Sequence, residues 1–332
     1  MTDAETDNGN GEFALIDRLL KPLAAKTPAA LGLTDDAAVL SPTPGRDLVL
    51  AKDAMVAGVH FLEDDAPEDV ARKLLRVNLS DLAAMGANPV GYLLATFWPE
   101  KLPRDWIEGF AAGLQKDQDE FGVGLLGGDT VRTPGPLSLS LTAVGEVTAG
   151  QALRRNGAAE GDLIVVSGTI GNGALGLLAL KGALVGLDED LQKKLIDRYH
   201  LPQPRLALGK LLTEKATACI DISDGPLADI GHICDESRLG AEIEWERIPL
   251  SYAARQALAQ NARLRDVVLT GGDDYELAFT LPPAMEEALE QLATESGLAL
   301  TIIGKMTAGN DVRVFHEDGT ELTLDTRGWQ HF

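Results

Sequence analysis

The sequence predicts an α/β protein of two domains, and three observations carry that expectation. The chain has 332 residues, too many for one small core at about 100–200 residues per domain. Short apolar runs at 48–51 and 137–144 alternate with helical patterns at 70–85 and 105–121, the alternation of an α/β domain. A polar, glycine-bearing break at 157–162 then leads into a new strand pattern at 163–167. The same style repeats beyond it: a helix near 190–199, a proline-punctuated loop at 200–204, a strand near 218–222 and a helix near 283–296. The expected division is a disordered tail at 1–11, a first domain at 12–152 and a second at 153–332. The first domain opens on a short amphipathic helix at 13–23.

Charge narrows the function. With 29 basic against 51 acidic residues the net charge is −22, so a nucleic acid is repelled. A small anionic substrate is repelled too, unless bound cations reverse the local sign. The two cysteines, Cys219 and Cys234, lack CxxC or zinc spacing and point to a reduced, cytoplasmic setting. Residues 1–11 are acidic and polar, without the pattern of a signal peptide. The apolar stretch 163–187 is broken by Gly168, Gly171, Asn172, Gly173 and Lys181, and reads as strand, glycine turn and helix rather than a membrane span.

Carboxylates recur beside apolar runs. Asp53 ends Leu48-Val-Leu-Ala-Lys-Asp, and Asp129 ends Val123-Gly-Leu-Leu-Gly-Gly-Asp. Asp221 and Asp224 sit in Cys219-Ile-Asp-Ile-Ser-Asp-Gly, while Asp273 and Asp274 close Val267-Val-Leu-Thr-Gly-Gly-Asp-Asp. Each run reads as a buried strand ending in a tight, carboxylate-bearing turn, the place where ligands gather in α/β sheets. Asp35-Asp36 and Asn78-Leu-Ser-Asp81 add two more. Asp and Gly are common in turns, so any one motif can be purely structural. Six together suit hard cations such as Mg²⁺, which take a few carboxylates plus substrate phosphates. Phosphoryl transfer is the natural chemistry of such a site.

Other signatures fail or mislead. Gly171-Asn-Gly-Ala-Leu-Gly176 matches GxGxxG, but the acids at 188–190 read as a helix start, so a tight strand-to-helix connection is preferred over a dinucleotide site. There is no GxxxxGK[ST], HExxH, GxSxG or Cys/His cluster. Among five histidines only His60 lies in a dense motif, Gly58-Val-His-Phe61.

Read in order, these segments resemble the thiamine-monophosphate kinases of the aminoimidazole-ribonucleotide-synthetase-related superfamily. The likeness runs from Glu12-Phe13 to Gly328-Trp-Gln-His-Phe332, through Arg155-Asn-Gly157, His200-Leu-Pro-Gln-Pro-Arg205 and Gly271-Gly-Asp-Asp-Tyr-Glu-Leu277. The resemblance implies a two-domain PurM-like fold whose N-terminal sheet pairs across a homodimer. A C-terminal α/β domain would lie over it, with ATP and a Mg²⁺ cluster between the two. It implies metal ligands at Asp35, Asp53, Asp81, Asp129, Asp221 and Asp224, with electrostatic catalysis by Asp81, Asp129 and Asp221 and no general base. Nucleotide contacts fall on Gly128, Asp129, Arg155 and Ser223, and the thiamine monophosphate side on His60, Asp273 and Trp329. Arg suits phosphate through its paired donors, and a Trp face attracts the cationic thiazolium.

Three departures stand out: Thr34 where the family has Gly, Ala51-Lys52 where it has hydroxyl residues, and Ala111 where some members place a tyrosine beside adenine. Two other readings stay open. One is another ATP-using member of the superfamily, an aminoimidazole-ribonucleotide or selenophosphate synthetase. For the latter, the lack of a cysteine before Cys219 counts against it. The other is a non-catalytic cation-binding module, which no EF-hand loop supports.

Overall fold

In the computed structural model, residues 12–324 and 328 are described. Two α/β units form: 1–78 with 89–146, and 79–88 with 147–332. Residues 79–88, which the sequence division at 152 placed in the first domain, pack with the second unit.

The first unit holds one sheet of β1 (Arg46–Val56), β2 (Asn88–Pro99), β3 (Gly124–Thr133) and β4 (Ser138–Thr148), in the order β1-β4-β2-β3. Alternation along β1 buries Val49 and Met55 and exposes Leu48, Leu50 and Lys52, so one face of the strand is covered and the other is open. On β2, Leu93 and Phe97 are exposed while Tyr92, Leu94 and Trp98 are buried. Helices Pro67–Ala84 and Arg104–Phe121 bury their apolar residues, among them Leu74, Leu75, Phe110 and Leu114. They are tied by Asp117, which accepts from Arg72 Nε at 2.7 Å and Arg76 Nε at 2.6 Å.

The second unit is a seven-stranded mixed sheet: β5 (Leu163–Ser167), β6 (Ala218–Asp221), β7 (Gly240–Glu244), β8 (Leu277–Leu281), β9 (Leu300–Thr307), β10 (Val312–Phe315) and β11 (Glu321–Leu322). Their order is β11-β10-β7-β9-β5-β8-β6. Both faces are buried, and period-two alternation divides them. Ile164, Val166, Ile220 and Ala278 join one core, while Val165, Cys219, Leu277 and Phe279 join the other.

Most expected elements form near their sequence positions, and three expectations are corrected. The run before Gly271-Gly-Asp-Asp is a helix, Leu264–Thr270, with Val268 and Leu269 buried; an apolar run this short looks alike in helix and strand. Asp53 and Asp129 lie inside their strands, since β1 runs on to Val56 and β3 to Thr133. Asp81 is within the helix Pro67–Ala84, not in a turn. Among the described residues no helix is long and apolar enough to cross a membrane. The expected tail at 1–11 lies outside the described residues.

Candidate active site

In the first unit, a cavity of about 610 Å³ gathers Asp35, Gly128 and Asp129, with Asp36 and Thr130 beside them and leucines such as Leu20, Leu33 and Leu125 as walls. Gly128 has to be glycine: an added Cβ would lie 1.8 Å from the carbonyl oxygen of Leu94 on the neighbouring strand. The approach to Asp35 runs through Leu31, Gly32 and Leu33, all with φ between 50° and 67°. Thr34, by contrast, has φ −112° and donates Oγ1 to the carbonyl of Leu31 at 2.8 Å, so the missing glycine costs nothing there. Ala111 is buried in the helix Arg104–Phe121 and is not among the residues lining this cavity.

Asp53 and His60 do not line the cavity either. The main-chain N–H of Asp53 donates to Asn78 Oδ1 at 3.1 Å, while Asn78 Nδ2 donates to the carbonyl of Leu74. Asn78 in the dense Asn-Leu-Ser-Asp motif therefore holds the strand rather than a ligand. Lys52 is one residue away, so it stands on the other face of β1, donating to Ser140 Oγ at 2.7 Å. His60 closes a tight turn in which its Nδ1 accepts the N–H of Val56 at 3.1 Å. A neutral ring held this way carries its proton on Nε2 and presents it as a donor.

In the second unit, two carboxylate-bearing motifs interlock. The N–H of Asp273 donates to the carbonyl of Ser223 at 2.9 Å, and that of Tyr275 to Ile222 at 2.8 Å. An added Cβ on Gly272 would meet the Ser223 carbonyl oxygen at 1.9 Å, so glycine is what lets the two loops touch. Asp221, at the end of β6, accepts from buried Ser80 Oγ at 2.7 Å. Arg155 is exposed at a bend next to Arg154, whose carbonyl accepts from the N–H of Cys219 in β6. Asp273 and Tyr275 have φ of +68° and +51°, uncommon for residues with side chains and typical of strained functional loops.

Asp274 lies between them and Glu276 directly follows. Asp274 is buried and accepts from the N–H of Gly171 at 2.6 Å and of Gly173 at 3.0 Å, where the helix Asn172–Leu180 begins. The GxGxxG match is thus a strand-to-helix connection capped from another loop. Its acids behave as the sequence suggested, with Asp188 capping the helix Glu189–His200. Burial outweighs these bonds and pushes Asp274 up to about 7. Glu276 accepts from Ser167 Oγ, Arg198 and Arg205. A carboxyl raised in this way adds stability that is complete below its unfolded value near 3.8 and is lost as pH rises through 7. Asp274→Asn is therefore expected to remove a falling limb, worth up to roughly 4 kcal/mol, from the stability profile between pH 4 and 7. Urea unfolding at several pH values measures it, and parallel profiles for the two proteins would refute it.

Sequence reasoning missed Asp229. Its Oδ2 accepts the N–H groups of Ser223, Asp224 and Gly225 at 3.0, 3.0 and 3.1 Å. Burial, then the charges of Asp221 and Asp224, push its carboxyl well above the usual range. The Asp224-Gly-x-x-x-Asp229 spacing across a helix start was the available signal.

A family model described as AIR synthase related protein, N-terminal domain, matches residues 34–147, and its C-terminal counterpart matches residues 159–317. A thiamine-monophosphate kinase of Caulobacter vibrioides is 45% identical over 323 residues, covering 96% of this chain and 90% of that one. The chain belongs to the thiamine-monophosphate kinase family. The crystal structure of the thiamine-monophosphate kinase from Stenotrophomonas maltophilia K279a superposes with a TM-score of 0.83 at 44% identity, covering 94% of this chain and 98% of that one. AaThiL complexed with AMPPCP and TMP superposes at 0.76 with 31% identity, covering 97% of each chain. As a thiamine-monophosphate kinase family member the chain is an enzyme with the two-domain PurM-like fold.

The metal that the thiamine-monophosphate kinase reading implies meets a suitable donor set. Asp221, Asp224 and Ser223 offer hard side-chain oxygens within one four-residue stretch, the donor type that Mg²⁺ takes. Among the described residues no three His, Cys, Asp or Glu side chains converge to hold an ion unaided. An ion here would complete its shell with phosphate oxygens and water, the usual habit of Mg²⁺. Trp329 lies outside the described residues.

Proposed function

We propose that the chain transfers the γ-phosphoryl group of ATP to the phosphate of thiamine monophosphate, in line and without a covalent enzyme intermediate, giving thiamine diphosphate and ADP. The backbone bonds from Asp273 to Ser223 and from Tyr275 to Ile222 support this reading: they join the turn proposed to meet the metal-bound nucleotide to the loop proposed to meet the acceptor. The family relationship, and a relative solved with AMPPCP and TMP, support it.

Asp35, Asp53, Asp81, Asp129, Asp221 and Asp224 are the residues that would hold Mg²⁺, which when bound supplies charge neutralisation for the transferred group. Gly128, Asp129, Ser223 and the Arg155 guanidinium are the proposed nucleotide contacts. His60 donates to the acceptor phosphate, and Asp273 and Trp329 hold the thiamine rings. A homodimer belongs to the proposal, since exposed Leu48, Leu50, Leu93 and Phe97 leave apolar sheet surface for a second copy to cover. The setting is the cytoplasm.

No side chain need act as general base. The nucleophile is a phosphate monoester oxygen, already anionic above its second pKa of about 6. His60, with Nδ1 engaged by Val56, is placed to donate rather than to take a proton. Activity is expected to fall below about pH 6 in both wild type and His60→Ala, with the variant raising the acceptor KM more than it lowers kcat. A pH–rate profile at saturating Mg²⁺–ATP checks this. Loss of the acidic limb in His60→Ala, with a large drop in kcat, would make His60 the base instead. For the function as a whole, coupled ADP release with thiamine, thiamine monophosphate and other phosphomonoesters should single out thiamine monophosphate. Equal rates across the panel would overturn the acceptor assignment.

A further inference from the structure

The turn Ile222–Gly225 precedes a helix, Pro226–Ser237, and its amides of Ser223, Asp224 and Gly225 converge on one point. Three successive N–H groups at a helix start ordinarily form an anion nest, and a phosphate oxygen is the usual guest. Here the nest is filled from within. Asp229, one turn into the same helix and 2% exposed, places a single carboxylate oxygen within 3.0–3.1 Å of all three nitrogens. Gly225, at φ +115°, gives the backbone the bend this requires.

We propose that Asp229 is a positioning residue that converts this turn from a phosphate loop into a cation-facing one. With its amides consumed, the turn has only oxygens left to offer: the side chains of Asp221, Ser223 and Asp224. The nucleotide is then met through Mg²⁺ rather than by direct amide–phosphate bonds. Ser80, which donates to Asp221 Oδ2 at 2.7 Å, fixes the first of these carboxylates from the helix Pro67–Ala84. Groups that orient metal ligands in this manner typically cost 10–100-fold in affinity when lost. The proposal rests on the assignment of Asp221 and Asp224 as Mg²⁺ ligands.

The test is calorimetric titration of the full chain with Mg²⁺–AMPPCP, comparing wild type with Asp229→Ala, Asp229→Asn and Asp224→Asn. Both Asp229 variants are expected to weaken the complex by roughly 10–100-fold, and to raise the half-saturating Mg²⁺ concentration in turnover. The KM for thiamine monophosphate should stay within about threefold. Should Asp229→Ala fail to fold, the isosteric Asn variant decides, because it keeps the size of the side chain while replacing the carboxylate group that accepts from the three amides. A purely structural Asp229 would lower the melting temperature and leave Kd and the Mg²⁺ requirement as in wild type, which overturns the proposal. If Asp224→Asn weakens binding but the Asp229 variants do not, only the positioning role falls. If Asp224→Asn has no effect either, the metal assignment itself fails.

Discussion

Asp129→Asn and Asp81→Asn are each expected to lower kcat by at least about 10²-fold, the range seen when one electrostatic stabiliser is removed, with the fold retained. The substitutions are nearly isosteric, and neither residue belongs to a packed core. Asp129 is exposed within β3 and lines the 610 Å³ cavity; its Oδ1 accepts the N–H of Thr130 at 2.9 Å, a bond an asparagine oxygen can keep. Asp81 is half-buried near the end of the helix Pro67–Ala84, following Ser80. What each variant loses is formal charge, and on the proposed mechanism that charge holds the cations that neutralise the phosphates. Circular dichroism with steady-state kinetics measures the outcome. A folded variant turning over within a few-fold of wild type would remove that residue from the ligand set.

Glu276→Ala is expected to cost about 3–5 kcal/mol of stability, the usual penalty for removing one partner of a buried ion pair. The carboxylate is fully buried and is the common acceptor of Arg205 Nε at 2.6 Å, Arg198 at 2.9 Å and Ser167 Oγ at 2.6 Å. Ser167 Oγ in turn accepts the N–H of Leu277 at 2.9 Å, so the loss reaches the start of β8. Two guanidinium groups, 26% and 14% exposed, would be left facing each other, partly relieved by water, which favours the lower end of the range. Urea unfolding reads the change directly. A loss below about 1 kcal/mol would match an exposed pair and contradict the buried network.

Much of this architecture was legible because period and punctuation were strong. The pattern at 163–167 is β5 itself, and the helix pattern at 105–121 is one residue short of Arg104–Phe121. Legibility failed where a short apolar run gave no period to read, as with Leu264–Thr270, and where a carboxylate that resembles a strand end sits within a strand that continues, as at Asp53 and Asp129. At the site, the sequence marked the carboxylate motifs but not the direction each carboxylate faces. Asp273 and Asp274 are adjacent and look equivalent in sequence, yet backbone strain and two amides turn Asp274 inward as a cap. Asp229 lay outside every turn motif, because its task is fulfilled one helical turn downstream of the residues it holds.

ADP release alone does not separate transfer from hydrolysis or from a synthetase-like reaction that ends in free phosphate. Phosphorus NMR of a reaction containing ATP, Mg²⁺ and thiamine monophosphate does. The proposed function predicts that the acceptor's single monoester resonance is replaced by a mutually coupled pair from a new diphosphate, in step with ADP and without inorganic phosphate. ADP appearing together with inorganic phosphate, while the thiamine monophosphate resonance stays unchanged, would contradict it.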